Sequence, residues 1–192
     1  MREASISRKT KETDIELYLN LDGTGENSIS TGIGFFDHML TAFSVHSGFD
    51  LKLKVIGDLE VDGHHTVEDT GIALGQAFCK AIGDKLGIKR YGTSFIPMDE
   101  ALGFCSLDIS GRAFLVFSAS YNTDKTGEFD NCLTEEFFRA FSMNSLITLH
   151  TSVGYGKNDH HKIEAIFKAV AHALKDAVKI EGDSVLSSKG VL

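Results

Sequence analysis

Two short segments of the sequence carry the same set of metal-ligating side chains, in the order His-His-x-x-Glu. The six residues are His64, His65, Glu68, His160, His161 and Glu164. An α-helix turns by about 100° per residue. The second histidine therefore lies about 100° around the helix from the first histidine, and the glutamate lies about 40° from the first histidine. The glutamate therefore lies between two diverging histidines on one face. One such motif can offer ligands to two neighbouring metal ions, so two copies predict three ligands per ion.

The two motifs belong to a longer internal repeat. Residues 62–69 recur as residues 158–165, at an offset of 96 positions, and residues 37–44 resemble residues 135–142 at an offset of 98. Two blocks in the same order at nearly the same offset indicate that the chain consists of two copies of one half.

The repeat also suggests a fourth ligand for each ion, because His38 aligns with Glu136. Four ligands that mix imidazole and carboxylate suit Mn²⁺ or a similar octahedral ion, and they leave two positions for substrate or water. The set has no cysteine, so a structural zinc site is not expected. A lone histidine is usually a surface or core residue, which is how we interpret His172. His46 and His150 are open to either a supporting role beside the metals or a structural role.

The elements that must position these residues follow from hydrophobic periodicity, and they recur in the two halves, residues 1–91 and 92–192. In the first half we predict two strands with alternating apolar residues, a helix between them, and a long helix that begins near His64 and ends at Gly87. The first strand is predicted around residues 15–19 and the first helix at residues 35–47. The second strand is predicted around residues 49–55.

In the second half we predict strands within residues 107–120, broken at Ser110-Gly111, and then three further elements. These are a helix at residues 135–146, a strand at residues 147–153 and a last helix at residues 159–179. Strands and two helices, twice over, predict an α+β fold in which each sheet is covered on one face by helices.

Composition limits the classes of function. The net charge of −8, from 19 basic and 27 acidic side chains, argues against non-specific nucleic-acid binding but allows a small anionic substrate. Three cysteines without a CxxC pair argue against a disulfide framework. The N-terminus is polar, unlike a signal peptide, and no apolar run approaches the roughly 18 residues of a membrane span. We therefore expect a cytoplasmic protein that binds neither nucleic acid nor membrane.

A few basic and hydroxyl side chains could hold a phosphate. Arginine forks, lysines and hydroxyls are the groups that a phosphate needs. The candidates are Arg90, Arg112, Lys168, Ser187, Ser188 and Lys189. Lys168 places a charge where the other half has the apolar Ile72, at the offset of 96. Taken alone, each of these residues is more commonly a solvated surface group.

Several ordered segments, which include the two motifs, are distinctive together. They are residues 8–13, 31–40, 62–69, 97–102, 108–112, 148–150, 158–169 and 188–190. In these segments the chain resembles the imidazoleglycerol-phosphate dehydratases, lyases of histidine biosynthesis, over nearly its whole length. The resemblance implies a duplicated α+β half-domain of the ribosomal protein S5 domain 2-like type. It also implies two Mn²⁺ ions per active site, and a homo-oligomer of twenty-four subunits with active sites shared between subunits.

The resemblance assigns roles to individual residues. The implied metal ligands are His38, His64, His65, Glu68, His160, His161 and Glu164, with Glu136 as an eighth. Many relatives carry histidine where this chain has Glu136, and a carboxylate can still bind Mn²⁺. The implied substrate contacts are Glu12, Arg90, Arg112, Lys168, Ser187 or Ser188, and Lys189, to which we add His46. The usual Pro-Ser-Thr-Lys reads Leu186-Ser-Ser-Lys here, which leaves open which serine meets the phosphate.

The implied substrate is imidazole glycerol phosphate, which carries an imidazole ring, a diol and a phosphate. Ring nitrogens bound to two metal ions would favour the imidazolate, whose electrons can expel the hydroxyl on the adjacent carbon. Loss of the neighbouring C–H proton then gives an enol, which becomes a ketone. Glu12 is the candidate acid or base for the proton transfers. The other implied catalytic residues act through the metals, and they are His38, His64, Glu68, His160 and Glu164.

Two other functions are compatible with a pair of metal ions. A binuclear hydrolase acting on a phosphate or an amide is one, but the sequence lacks the Asp-rich metal motifs expected there. A metal-storage shell is the other, and storage would not require the basic and hydroxyl cluster. Conversion of imidazoleglycerol phosphate by the manganese-loaded protein would separate a dehydratase from both.

Overall fold

The computed structural model describes residues 1–190. Its first part contains four strands and two helices, and the second of those helices begins with the first His-His-x-x-Glu motif. In chain order they are β1 (Glu3–Lys9), β2 (Thr13–Asn20), β3 (Asn27–Ser30), α1 (Gly34–Ser47), β4 (Asp50–Gly57) and α2 (His64–Ile82).

The second part repeats this series and adds a short hairpin, β8–β9, before its first helix. In chain order its elements are β5 (Tyr91–Met98), β6 (Ala101–Asp108), β7 (Phe114–Ser118), β8 (Lys125–Thr126), β9 (Phe129–Asp130), α3 (Leu133–Ser145), β10 (Thr148–Val153) and α4 (Asp159–Ala177). The second motif begins α4, as the first begins α2.

The two main sheets share one topology. Their strand orders are β1-β2-β4-β3 and β5-β6-β10-β7. In each sheet the first three strands in this order pair antiparallel, and the last pairs parallel with its neighbour. The predicted α+β class is confirmed, whereas the boundary between residues 91 and 92 stays a prediction.

Helices cover one face of each sheet. α2 packs on β1 and β2, and α4 packs on β5, β6 and β10. The alternation along β4 shows the consequence, because Leu51, Leu53 and Val55 are buried while Lys52 and Lys54 are exposed. Alternating side chains point to opposite faces of a strand, so the apolar set forms the core under the helices.

The helices pair in parallel across the two parts of the chain. In the α1–α4 pair, Phe35 lies against His160 near the N-terminal ends and His46 contacts His172 further along. The α2–α3 pair is close, since a Cβ on Gly71 would lie 2.7 Å from the carbonyl oxygen of Phe137. Each pair thus brings the N-terminal ends of two helices together, and these ends carry the candidate ligands.

Two predicted boundaries are wrong, each for a local reason. α2 ends at Ile82, not at Gly87, because Gly83 and Lys85 both take positive φ (62° each) and the chain leaves the helical path. The strands of the second part begin at Tyr91, well before Leu107.

Strand β5 escapes a search for apolar alternation because its inward positions are small. Its first two inward residues are Gly92 and Ser94. A Cβ on Gly92 would lie 1.9 Å from the carbonyl oxygen of Ala173, so α4 packs directly on the strand backbone. Ser94 donates its hydroxyl to the carbonyl oxygen of Ala169.

Two further expectations concern cysteines and membranes. Within residues 1–190, Cys79, Cys105 and Cys132 form no disulfide bond. No helix in the same range is long and apolar enough to cross a lipid bilayer.

Candidate functional site

The N-terminal ends of α1 and α4 bring three metal-ligating side chains together. The Oε2 atom of Glu164 lies 3.1 Å from Nε2 of His160 and 3.5 Å from Nε2 of His38. The ligand atoms of all three residues lie within 4.8 Å of one another. His38 comes from the first part of the chain and the other two from the second. We call this set the His38 cluster.

The electrostatics of the His38 cluster suit a divalent cation. Glu164 is buried, and burial alone would raise the pKa of its carboxyl. Lys168, together with His38 and His160, outweighs burial and holds the pKa of Glu164 below its usual value. The side chains of the two histidines remain 50% and 39% exposed, so solvent reaches the open side of the cluster. Two imidazoles and one ionised carboxylate match the donors that Mn²⁺ and similar ions take.

Phe35 orients the two histidines of the cluster. Its ring meets the ring of His160 edge-on at a centroid distance of 5.0 Å, and that of His38 edge-on at 6.5 Å. Phe35 is in turn packed against Phe129 at 5.5 Å. Phe129 belongs to the β8–β9 hairpin. The hairpin therefore packs against the ring that contacts the two histidines of the cluster.

The corresponding residues on the α2–α3 pair are less tightly gathered. The Nε2 atom of His64 lies 3.6 Å from Oε2 of Glu68. Gly71 of α2 lies against Phe137 of α3, and the two helices run parallel. Glu68 and Glu136 both lie within one turn, about 3.6 residues, before this contact, so they are at about the same level along the pair. The carboxylate of Glu136, however, lies 3.6 Å from Nε of an arginine on its own helix, Arg139.

The second histidine of the first motif diverges from the first, as the helical spacing predicts. The rings of His64 and His65 are 6.1 Å apart and almost perpendicular. The Nδ1 atom of His65 lies 3.0 and 3.2 Å from the two carboxylate oxygens of Asp58. Its Nε2 atom lies 3.8 Å from Oε1 of Glu12. The hydrogen bond to Asp58, with a contribution from Glu12, raises the pKa of His65.

The second motif repeats this arrangement with other residues. The rings of His160 and His161 are 6.0 Å apart at an interplanar angle of 79°. The Nδ1 atom of His161 lies 2.7 Å from Oε2 of Glu100, and its Nε2 atom lies 3.7 Å from Oδ2 of Asp99. Glu100 is the main cause of a raised pKa of His161. Two backbone amides and this histidine lower the pKa of Glu100 to about 2.

The predicted phosphate-binding residues divide between two places. Arg90 is buried at the edge of a cleft of about 700 Å³ that Ser187 and Ser188 also line. Its guanidinium donates to both oxygens of Asp108, at 2.6 and 3.0 Å, and to the carbonyl oxygen of Leu186 at 2.6 Å. The C-terminal segment is thereby tied beside Arg90.

Of the remaining basic residues, Arg112 and Lys189 lie beside this cleft, and Lys168 lies away from it. Arg112 is exposed, with its Nη2 atom 3.9 Å from Asp108, and Lys189 is exposed directly after Ser188. Lys168 lies elsewhere, with its Nζ 2.5 Å from Oε1 of Glu164. A single chain therefore places Lys168 at the His38 cluster and the other phosphate candidates at the cleft.

The other singled-out histidines have distinct positions. His46 and His172 join α1 to α4, with Nδ1 of the former 3.1 Å from Nε2 of the latter. Burial lowers the pKa of both imidazoles, and Lys168 and Lys175 act in the same direction. His172, which we interpreted as an ordinary residue, thus forms a helix–helix contact. His150 is exposed on β10.

Asp58, Glu100 and Asp108 are carboxylates at the site that were not singled out from the sequence. Each pairs with a residue that was singled out, at separations of 7, 61 and 18 positions along the chain. Only the first separation is short enough for a local pattern, and even there no helical or strand periodicity links the two residues. The other two contacts depend on how the strands pair and how α4 packs.

Comparison with known proteins gives a consistent result. The family model of imidazoleglycerol-phosphate dehydratase matches residues 31–174. A protein of that name from Exiguobacterium sp. is 58% identical over 191 residues, which cover 99% of this chain and 98% of the relative. One from Methanosarcina barkeri is 57% identical over the whole of both chains.

Solved structures agree. The imidazoleglycerol-phosphate dehydratase of Staphylococcus aureus superposes with a TM-score of 0.85 at 43% identity, and covers 93% of this chain and 99% of its own. IGPD from Pyrococcus furiosus, in complex with (S)-C348, superposes with a TM-score of 0.80 at 36% identity, over 97% of this chain and 100% of its own. Since both sequence and structure match over nearly full length, the chain belongs to the imidazoleglycerol-phosphate dehydratase family of enzymes.

Proposed function

We propose that the protein dehydrates D-erythro-imidazole glycerol phosphate to imidazole acetol phosphate, a step of histidine biosynthesis, at a site that holds two Mn²⁺ ions. Family membership supports the reaction. The main support for the metal site is the His38 cluster. Its two imidazoles and one carboxylate come from two helices, and their ligand atoms lie within 4.8 Å of one another.

The proposed ions have separate ligand sets. The His38 cluster would hold one ion. For the other ion, His64, Glu68 and Glu136 offer the corresponding donors on the α2–α3 pair, and Glu136 would have to leave Arg139 to take part. When bound, the ions would supply the Lewis acidity that favours the anionic form of an imidazole ring.

The chain's own side chains would hold the rest of the substrate. Arg90 and Ser187 or Ser188 line one cleft, with Arg112 and Lys189 nearby, and this combination of guanidinium, hydroxyl and ammonium groups suits a phosphate. Holding the phosphate and the ring at fixed positions would present the diol to a proton carrier.

Glu12 is the proposed proton carrier. Its side chain is 53% exposed beside His65, so it can meet a substrate in the solvent-facing site. A positioned carboxylate can take a proton from carbon and return one to oxygen, which are the two transfers that a dehydration to an enol requires.

We further propose that complete active sites lie between subunits of a homo-oligomer of twenty-four chains. Support comes from the division within one chain, where Lys168 lies at the His38 cluster and the other phosphate candidates lie at the cleft. The divergence of His65 and His161 from the neighbouring histidines supports it too.

Metal should then stabilise the assembly, because a ligand that binds only the assembled form shifts the equilibrium towards it. Light scattering of the manganese-loaded protein, before and after chelation, measures the particle size. We expect smaller particles once the metal is removed. An unchanged large particle with confirmed loss of manganese would contradict a metal-dependent assembly.

The reaction itself is tested by incubating the manganese-loaded protein with imidazoleglycerol phosphate and following the products by mass spectrometry. We expect a product that lacks one water molecule, and its loss in His38→Ala but not in His150→Gln, which alters an exposed histidine on β10. Release of inorganic phosphate would instead indicate a binuclear hydrolase. Bound manganese with no conversion of substrate would indicate metal storage.

A further inference from the structure

We propose that Asp58 and Glu100 are positioning residues, which hold His65 and His161 with Nδ1–H directed at a carboxylate and Nε2 free to bind a metal ion. This inference rests on the manganese site of the proposed function. It assigns a role to two acidic residues that lie outside every ligand set described above.

The first carboxylate is held by the end of a strand. Asp58 directly follows β4, its backbone N–H donates to the carbonyl oxygen of Glu12 at 3.1 Å, and its own carbonyl accepts from Val61 at 2.8 Å. Both side-chain oxygens lie within 3.2 Å of Nδ1 of His65. The backbone is fixed on both sides, so the carboxylate presents a rigid acceptor to the imidazole.

The second carboxylate is held by backbone amides. Glu100 lies in the turn between β5 and β6, and its Oε1 accepts from the amides of Lys157 at 2.9 Å and Asn158 at 2.7 Å. Its Oε2 is thereby aimed at Nδ1 of His161, 2.7 Å away. Asn158 in turn caps α4 by accepting from the backbone N–H of His160. Glu100 therefore fixes the start of the helix and the histidine together.

The chemistry of these contacts determines which nitrogen is free. An ionised carboxylate only accepts hydrogen bonds, and a neutral imidazole has a single N–H. The hydrogen must then lie on Nδ1, which leaves the lone pair of Nε2 for a metal. A carboxylate on the far nitrogen is the usual way in which a metal-binding histidine is oriented, and it also makes the ring a stronger donor.

The two carboxylates did not arise as one feature of the repeat. Glu100 directly precedes β6 as Glu12 directly precedes β2, whereas Asp58 directly follows β4 and its counterpart after β10 is Gly154. Glu12 lies near Nε2 of His65, so the partners of Nδ1 in the two halves, Asp58 and Glu100, come from different positions of the repeated series. A contact that each half reaches by a different route points to a requirement of the histidine itself rather than to inherited packing.

The same geometry predicts different effects of amide substitutions at the two positions. Neither oxygen of Asp58 is needed by a backbone amide, so the side chain of Asp58→Asn can turn its oxygen to Nδ1 and keep the contact. In Glu100→Gln the oxygen is retained by Lys157 and Asn158, and the NH₂ group faces Nδ1. A donor there favours the tautomer with hydrogen on Nε2, which cannot bind a metal.

Titration calorimetry of metal-free protein with Mn²⁺ tests this difference without an activity assay. We expect Glu100→Gln and Asp58→Ala to weaken manganese binding by about 10- to 100-fold, the range found when such carboxylates are removed. Asp58→Asn should lose at most a few-fold. Glu60→Gln is the matched control, because Glu60 is an exposed acid in the same loop as Asp58, and it should leave affinity unchanged.

Circular dichroism of each metal-free variant separates positioning from folding. If Glu100→Gln does not fold, the comparison of Asp58→Ala with Asp58→Asn still tests the inference, because neither change removes a hydrogen bond to the backbone. Affinities within two-fold of the parent in folded Glu100→Gln or Asp58→Ala overturn this inference alone. A parent protein that binds no manganese overturns the metal site of the proposed function, and this inference with it.

Discussion

Lys168 places its Nζ 2.5 Å from Oε1 of Glu164, one turn earlier on α4. The other carboxylate oxygen of Glu164 faces His160 and His38. The lysine therefore neutralises a buried carboxylate at a site where we propose that a metal ion binds. Lys168 is, in this chain, both a substrate-contact candidate and the internal cation of the His38 cluster.

This pairing predicts that Lys168→Met destabilises the metal-free protein. Removing one partner of a buried ion pair costs about 3–5 kcal/mol, and because the side chain of Lys168 is 17% exposed we expect the lower end of that range. Saturating Mn²⁺ should reduce the deficit, since the ion provides a positive charge beside Glu164. Urea unfolding with and without manganese measures both effects.

The control for this substitution is Lys175→Met, which alters an exposed lysine on the same helix. Equal unfolding free energies for the two variants would show that the ion pair contributes nothing to stability. A deficit in Lys168→Met that manganese does not reduce would argue against an ion beside Glu164.

Sequence periodicity predicted much of the fold because many of the elements have one polar and one buried face. β4 illustrates this, with Leu51 and Leu53 buried between exposed lysines. β5 was missed because its inward positions, Gly92 and Ser94, are small enough for α4 to approach the backbone. Inward positions selected for close approach carry no hydrophobic signal, so they could not be found from the pattern.

The site was predictable where spacing on one helix sets the geometry. The divergence of His160 and His161 follows from the turn of the helix alone. The hydrogen bond from His161 to Glu100 spans 61 positions and depends on where a hairpin between two strands meets the start of α4. Contacts of this kind require the tertiary structure, and they supply the carboxylates that the sequence analysis did not single out.

The His46–His172 pair predicts a pH dependence of stability. In the unfolded chain the imidazoles take up protons near pH 6.5, whereas burial lowers their pKa in the folded protein. Below about pH 6.5 the unfolded state therefore binds more protons, and stability rises with pH in this window. Lys168 and Lys175 oppose protonation of the pair, while Glu164 favours it at His46.

Urea unfolding of the metal-free protein at about pH 7.5 and about pH 5.5 measures this contribution. Stability present above pH 6.5 should be lost as the pH falls through the lowered pKa values, and the loss should be smaller in His172→Gln. His150→Gln, which changes an exposed histidine, should follow the parent. Parallel pH profiles for the parent and His172→Gln would show that the pair does not contribute.

At the phosphate end, Lys189→Ala should weaken substrate binding without loss of manganese. Lys189 directly follows two serines of the cleft beside Arg90, and none of the proposed ligands is changed. Loss of a charge-assisted hydrogen bond typically costs about 1.5–3 kcal/mol. Binding titrations with substrate and metal analysis provide the two measurements, and Lys80→Ala, on the exposed face of α2, is the control. A parallel fall in manganese content would contradict separate metal and phosphate sites.

Glu12 provides the most direct test of the proposed chemistry. Its backbone is fixed, because its N–H donates to the hydroxyl of Thr10 at 3.1 Å and its carbonyl oxygen accepts from Asp58. Its side chain is half-exposed beside His65, with Oε1 3.8 Å from Nε2 of the imidazole. Glu12→Gln keeps the shape and the hydrogen-bonding reach but removes the ability to exchange a proton near neutral pH. General acid–base groups typically contribute about 10²- to 10⁴-fold in rate, so we expect a fall in kcat of that size.

Manganese content, assembly and substrate binding of Glu12→Gln should stay close to those of the parent, because the proton carrier is not a proposed ligand. Glu16→Gln is the matched control, since Glu16 is an exposed glutamate on β2, and it should retain full turnover. Turnover of Glu12→Gln within a few-fold of the parent would make Glu12 an ordinary surface carboxylate. A fall in bound manganese would place Glu12 among the metal ligands instead, since its Oε1 already lies 3.8 Å from Nε2 of His65.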